Sequence, residues 1–171
     1  MSAFLYSLGL QWRTDLRNKE VAVTYYLVPL VFFLFMGGIF SSVMPDAHAT
    51  LIQSMTVFGV TMGALLGSPS ALVETCRSDI KKAHQVGNIP LWSAVAVNFL
   101  SAFVHLSLMS LVIYFAAPLF FGAQFPRDPG GYFLTLSLFT AASLSVGSVL
   151  GLFVKSASKL TMASQLIFLP S

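Results

Sequence analysis

The sequence has very few charged residues. Asp, Glu, Lys and Arg make up 9% of its 171 residues, whereas they make up about 25% of an ordinary soluble domain. So few charges would cover the surface of a soluble domain of this size poorly. Because 56% of the residues are hydrophobic and the mean hydropathy is +0.82, the composition indicates a membrane protein. The chain also has no run of Lys or Arg, so nucleic acid is not an expected partner.

Cysteine pairs and catalytic motifs are also missing. The single cysteine, Cys76, excludes a framework of disulfides within the chain. The sequence contains no G-x-x-x-x-G-K-[ST] phosphate-binding loop, no H-E-x-x-H and no G-x-S-x-G. The three histidines, His48, His84 and His105, fall in three separate predicted regions and do not form a metal site. We therefore expect no cofactor, no metal and no catalysis in these residues.

What the sequence does contain is long apolar blocks separated by charged or turn-forming stretches. Each block is long enough to cross a hydrocarbon core of about 30 Å as a helix, which takes roughly 20 residues. Strands are not expected, because lipid leaves the edges of an open sheet without partners. The predicted fold is all-α, a single polytopic transmembrane helix bundle over residues 1–171. Its four complete spans are residues 21–43, 51–73, 91–115 and 132–154.

The basic residues alternate between the two sides of these spans. Eight of the nine lie before the first span, between the second and third, or after the fourth: Arg13, Arg17, Lys19, Arg77, Lys81, Lys82, Lys155 and Lys159. Only Arg127 lies in an intervening loop. The excess of basic residues marks the cytoplasmic side. The chain is therefore predicted to cross the cell (plasma or inner) membrane several times, with its N-terminus in the cytoplasm.

Both ends of the sequence predict further helices. In residues 1–20 a stripe at helical spacing consists of Phe4, Leu5, Leu8, Trp12 and Leu16, interrupted by Asp15. An amphipathic helix bearing Trp is expected to lie in the plane of the membrane interface. Residues 160–171 are apolar but too few to span. They are expected to begin a fifth span, with a re-entrant or interfacial segment as the alternative.

Small residues recur every four positions in two of the spans, and two prolines lie within spans. The small residues are Gly59, Gly63 and Gly67 in the second span, and Ser143, Gly147 and Gly151 in the fourth. Such faces let another helix approach closely, either within the bundle or at a subunit interface or sliding contact. Pro29 and Pro69 predict kinks, which neighbouring helices tolerate in a membrane.

His105 is the only ionisable residue inside a predicted span. Such residues are candidates for function, here contact with substrate or a polar seam. The alternative is a structural role, because a neutral imidazole is far easier to bury than a charge. Ser101, Ser107 and Ser110 on the same span are candidate hydrogen-bond partners for the imidazole.

The cytoplasmic loop 74–90 is the most specific feature. Ser78 or Asp79 can cap a short helix, Gly87 can end it, and Pro90 stops its continuation. It is either a solvated loop that supplies positive charge or a docking element for a cytoplasmic partner. Here the chain resembles the ABC type-two exporter permease family, whose loop opens with Glu, continues with basic residues and closes on Pro. The matching residues are Glu74, Arg77, Ile80, Lys81, Lys82 and Pro90, whereas Ser78 stands where that family usually has Gly.

The resemblance implies an interfacial helix, six spans and a cytoplasmic coupling helix in residues 74–90. It further implies two permease subunits, as a homodimer or heterodimer, each contacting a separate ATP-binding subunit through that helix. The contact residues would be Glu74, Arg77, Asp79, Lys81 and Lys82. ATP hydrolysed in the partner would drive a small-molecule or lipidic substrate outward. The alternatives are an ion-coupled secondary transporter, which usually carries carboxylates inside its spans, and a non-transporting scaffold or immunity protein.

Overall fold

The computed structural model describes residues 3–75 and 91–153, and the regular secondary structure in these two ranges is helical throughout. The prediction of an all-α fold is confirmed. Helix α1 is Ala3–Arg17, and α2 is Lys19–Val43. A short 3-10 helix, Pro45–Ala49, leads into α3, which consists of the consecutive segments Leu51–Met62, Gly63–Gly67 and Ser68–Thr75. Helix α4 is Leu91–Phe121, and α5 is Pro129–Phe153.

Three of these helices are long and apolar enough to cross a membrane, namely Lys19–Val43, Trp92–Phe121 and Pro129–Phe153. They overlap the first, third and fourth predicted spans. The apolar part of α3, Leu51–Gly67, is shorter, although the helix continues past Pro69 to Thr75. A crossing by α3 therefore stays a prediction, and the predicted fifth span, 160–171, lies outside the described residues.

Helices α4 and α5 both extend into the region that the sequence assigned to a loop, residues 116–131. Helix α4 continues through Pro118 to Phe121, although this proline has no amide hydrogen to donate to the carbonyl of Tyr114, four residues earlier. It ends at Gly122, whose positive φ of 63° suits glycine. Helix α5 starts at Pro129, a favoured first residue, and the Asp128 carboxylate accepts a hydrogen bond from the Gly131 amide at 3.1 Å.

A π-helical segment lies just before each of the two prolines in the first two predicted spans. Val23–Leu27 precedes Pro29 in α2, and Gly63–Gly67 precedes Pro69 in α3. A proline cannot donate to the carbonyl four residues earlier, and its ring pushes that carbonyl aside. The affected carbonyls belong to Tyr25 and Leu65, which lie inside the π segments. The wider π turn accommodates the ring without breaking the helix.

The glycine stripes are packed against other helices of the same chain. A Cβ atom on Gly59 would lie 2.9 Å from Met109 Cε, and one on Gly63 would overlap the Leu106 side chain, both on α4. A Cβ atom on Gly147 of α5 would overlap the carbonyl oxygen of Ala64. Helix α3 therefore lies between α4 and α5, with backbone-level contact on the α5 side.

The two connections at the end of the bundle away from residues 75 and 91 are bonded to each other. The Gln124 amide donates to the His48 carbonyl at 2.9 Å, and His48 Nε2 lies 3.2 Å from the Ser41 carbonyl oxygen. Nearby in the bundle, the Tyr132 hydroxyl donates to Thr56 Oγ1 at 3.0 Å. The Gln124–His48 bond holds the α2–α3 connection to the α4–α5 loop, and residues 75 and 91 lie at the opposite end of the bundle.

Candidate functional site

A cluster of aromatic and polar side chains surrounds His105 in the middle of α4. His105 is the fifteenth of the 31 residues of this helix, and its side chain is only 1% exposed. Its imidazole lies between the Trp12 ring, stacked at a centroid distance of 4.4 Å, and the Tyr25 ring, stacked at 5.9 Å. Tyr26 packs edge-on at 5.6 Å. Three aromatic rings from α1 and α2 therefore enclose the only histidine of the predicted spans.

The hydrogen bonds of the imidazole are incomplete. Its Nδ1 atom lies 2.7 Å from the Tyr26 hydroxyl oxygen. Its Nε2 atom is buried and has no hydrogen-bond partner among the described residues. In either neutral tautomer, one buried donor or acceptor of His105 is therefore left unmatched. An unmatched buried group costs about 1–3 kcal/mol, which makes His105 a candidate for contact with a further polar group.

The serines that the sequence offered as partners for His105 bond elsewhere, so that prediction is wrong. Ser107 and Ser110 donate to the carbonyls of Phe103 and Leu106, one turn earlier in α4. Serine hydroxyls inside helices commonly bond in this way. Ser101 instead donates to the Asp15 carboxylate of α1 at 2.5 Å. The partner of the imidazole comes from α2, a contact that spacing along α4 could not reveal.

Helix α1 turns a partly polar face toward α4. The side chains of its described part that are partly buried are Leu8, Gln11, Trp12 and Asp15. Asp15 accepts one hydrogen bond from Gln11 at 2.8 Å and a second from Ser101. Leu16 of the apolar stripe is 59% exposed. The interfacial position of α1 stays a prediction, and Asp15, which interrupts the stripe, faces α4 through its hydrogen bond with Ser101.

The cluster lies where the two π segments meet. Tyr25 belongs to the first π segment, and the second contributes Gly63 and Gly67 against its ring. A Cβ atom on Gly67 would lie 3.0 Å from Tyr25 Cε1, and one on Gly63 would lie 3.3 Å from Tyr25 Cδ1. Glycine at both positions lets the Tyr25 ring lie directly on the irregular backbone of α3. Segments of π-helix are frequently found at functional sites.

The remaining predicted site residues are placed as follows. Glu74 lies in the last turn of α3, and Arg77, Asp79, Lys81 and Lys82 lie outside the described residues. Gly151 packs on α3, where a Cβ atom would lie 3.0 Å from Pro69 Cα. Ser143 lies one turn before Gly147 on α5 and is partly buried. The structure therefore brings the small-residue stripes and His105 into one bundle, and it does not describe the predicted docking loop.

Chemically, the cluster offers hydrogen bonding and no nucleophile aimed at a reactive group. It combines the His105 Nε2 atom, which has no partner among the described residues, with two tyrosines. It also includes the Asp15 carboxylate, which is hydrogen-bonded to Ser101, one helical turn from His105 on α4. Within residues 3–75 and 91–153, no three His, Cys, Asp or Glu residues lie close enough together to hold a metal ion. The sequence identified His105 but missed Asp15, Tyr25 and Tyr26, because their part in the site depends on packing between separate helices.

The described helices define the class of protein. Long apolar helices joined by short connections, with a buried polar cluster between them, make this chain a multi-pass membrane protein built as a helix bundle. The family model for the ABC-2 type transporter matches residues 3–171. The chain therefore belongs to the ABC-2 type transporter family and is a membrane component of an ABC transporter. No curated protein and no solved structure matches it.

Proposed function

We propose that this chain is the permease subunit of an ABC exporter that moves a small-molecule or lipidic substrate outward. ATP is hydrolysed by a separate cytoplasmic subunit, and two permease subunits, identical or different, face each other in the membrane. The family match over residues 3–171 carries the proposal, because it covers nearly all of the sequence. These residues contain no phosphate-binding loop, which supports a source of ATP energy in another chain.

The proposed contact with the ATP-binding subunit is the cytoplasmic loop 74–90. Its charged residues are Glu74, Arg77, Asp79, Lys81 and Lys82. The loop follows α3 directly, and α3 packs against both α4 and α5. A displacement of this loop would therefore be transmitted to the centre of the bundle by α3 alone. Coupling of this kind needs an element that both sites can bias, and α3 with its π segment is the candidate.

Co-purification tests the proposed function. The full-length protein carries an affinity tag and is expressed together with its candidate ATPase, which has a phosphate-binding loop. We expect the ATPase to be retained at about equal amounts on the resin. A tagged membrane protein of an unrelated family, expressed with the same ATPase, is the control for non-specific binding. An ATPase signal no higher than that of this control would contradict the proposal.

The proposed orientation places the N-terminus and Cys76 in the cytoplasm. Cys76 is the only cysteine of residues 1–171, so labelling within this range reports its position alone. We expect a membrane-impermeant maleimide to label inverted membrane vesicles at least tenfold more than intact cells. Cysteine introduced at Asp46, on the predicted outer side, in a Cys76→Ser background is the control and should show the reverse ratio. Equal labelling of Cys76 from both sides would contradict the orientation.

We also propose that His105 belongs to a polar seam that is used in transport. Support comes from its burial in mid-helix together with the unmatched Nε2 atom. His105→Leu removes both nitrogens and leaves the Tyr26 hydroxyl without its partner. We expect a loss of transport-coupled ATP hydrolysis of roughly tenfold, about 1.4 kcal/mol at the rate-limiting step. His105→Gln, which keeps a hydrogen-bonding side chain, should retain more activity, and unchanged activity in His105→Leu would exclude the seam.

An ion-coupled transporter is the second candidate, because one observation favours it. Such transporters usually place carboxylates within the membrane, and the Asp15 carboxylate binds Ser101, one turn from His105. The two mechanisms differ in their energy source. Vanadate should stop transport by an ATP-driven exporter while a protonophore leaves it unchanged. Loss of transport with the protonophore alone would favour ion coupling.

A further inference from the structure

Helix α1 makes two directional contacts with α4 near His105. Trp12 stacks on His105, and Asp15 accepts from Ser101. Ser101 and His105 lie one turn apart on α4, as do Trp12 and Asp15 on α1, so the two pairs face each other on two adjoining turns. The apolar side chains Leu10 and Leu16 point away and are 57% and 59% exposed.

Two features raise the free energy of the position in which α1 is packed on α4. It encloses His105 while leaving the Nε2 atom without a partner, which costs about 1–3 kcal/mol. It also holds the carboxylate of Asp15 against Ser101, ten residues into the long apolar helix α4. A carboxylate at membrane depth is costly, whereas the same amphipathic helix lying at the interface would return Asp15 to water. Both features lower the free-energy difference between the attached position of α1 and a detached one.

The surface under α1 also includes both π segments of the described residues. Tyr25 and Tyr26, which contact His105, lie within the π segment Val23–Leu27 of α2. The second π segment, Gly63–Gly67 of α3, packs against Tyr25. A change in the helical register of either segment would move the two tyrosine rings against the imidazole. Rearrangement in α2 or α3 would thus act directly on the site that α1 covers.

From these contacts we propose that α1 is a strap that closes over His105 and must leave it during the transport cycle. In the closed state the Trp12 ring covers the imidazole, and the Asp15 carboxylate accepts the hydrogen bond that the Ser101 hydroxyl donates. When the strap leaves, Ser101 and His105 present two adjacent hydrogen-bonding groups on α4. The strap is therefore an autoinhibitory contact. Its closed position follows from the geometry alone, whereas its release rests on the proposed ATP-driven function.

Reversible cross-linking tests both parts. Asp15 and Ser101 are replaced by cysteine in a Cys76→Ser background of the full-length protein, and the Trp12–His105 stack is kept. A short bis-methanethiosulfonate reagent links the two thiols, and dithiothreitol removes the link. Arg13→Cys with Ser101→Cys is the matched control, because Arg13 is exposed and lies off the packed face of α1. The readouts are the rate of cross-linking in membranes and ATP hydrolysis by the complex with its ATPase.

We expect the Asp15 and Ser101 pair to link at least tenfold faster than the control pair, and equal rates would overturn the closed position. We expect the link to lower ATP hydrolysis at least fivefold and dithiothreitol to restore it. Full hydrolysis with the link in place would overturn the release step. A pair that links fast but shows no hydrolysis after reduction would overturn the proposed function and the release with it. That result would leave the closed strap established.

Discussion

Replacement of Gly147 by alanine is expected to separate α5 from α3 and to lower the stability of the bundle strongly. The added Cβ atom would overlap the carbonyl oxygen of Ala64, which belongs to the π segment of α3. A flexible side chain could rotate away, but a backbone carbonyl cannot move without displacing the helix. Overpacking of this kind costs about 1–3 kcal/mol, and a clash with backbone lies at the upper end of that range.

Thermal unfolding followed by size-exclusion chromatography measures the effect. We expect Gly147→Ala to unfold several degrees lower than the parent protein and to give less monodisperse protein. Gly38→Ala is the matched control, because its Cβ atom would meet only Phe121 Cε1, at the ordinary distance of 3.8 Å. Because both variants replace glycine by alanine inside a helix, both gain the same free energy of helix formation, about 1 kcal/mol. Equal stability of the two variants would show that α3 and α5 are not packed as the structure places them.

Charge reversal in the cytoplasmic loop is expected to abolish assembly with the ATP-binding subunit. Arg77, Lys81 and Lys82 are all changed to Glu, which changes the charge of the loop by six units. If these residues dock on a complementary surface, the reversed charges repel it, and each close pair of like charges costs further binding free energy. We expect at least tenfold less ATPase to co-purify with this variant than with the parent protein.

The matched control for this variant changes the two other predicted cytoplasmic lysines near the end of the sequence, Lys155 and Lys159, to Glu. It should retain the ATPase, because these residues lie outside the proposed docking loop. Labelling of Cys76 in inverted vesicles checks that the triple variant keeps its orientation, since basic residues also determine topology. A correctly oriented triple variant that still holds its ATPase would exclude the loop as the docking element.

The long helices could be predicted from the sequence because lipid imposes a simple requirement. A helix that crosses the membrane needs roughly 20 apolar residues, and uncharged blocks at 21–43 and 132–154 meet it. Their ends were less predictable. Pro118 was interpreted as part of a loop, whereas α4 continues through it to Phe121 despite the amide hydrogen bond that proline cannot make. Pro29 and Pro69 indicated distortions, but the π segments depend on the carbonyl geometry of the folded helices.

Of the residues in the candidate site, only His105 at its centre could be predicted from the sequence. His105 stood out because it is ionisable and lies within an apolar block. Its neighbours come from two other helices, so no spacing along α4 could identify Tyr26 or Trp12. Asp15 was interpreted as an interruption of an apolar stripe, because helical periodicity sorts residues only by polarity. Its bond to Ser101 depends on the tertiary contact between α1 and α4.

The rate of ATP hydrolysis by the purified complex in lipid vesicles tests the central claim most directly. The full-length protein and its ATPase are co-purified, reconstituted and compared with the ATPase alone and with a complex whose phosphate-binding lysine is changed to alanine. We predict vanadate-sensitive hydrolysis at least several-fold above the ATPase alone and none in the lysine variant. A rate that is the same with and without this chain would contradict its role as the permease of an ATP-driven exporter.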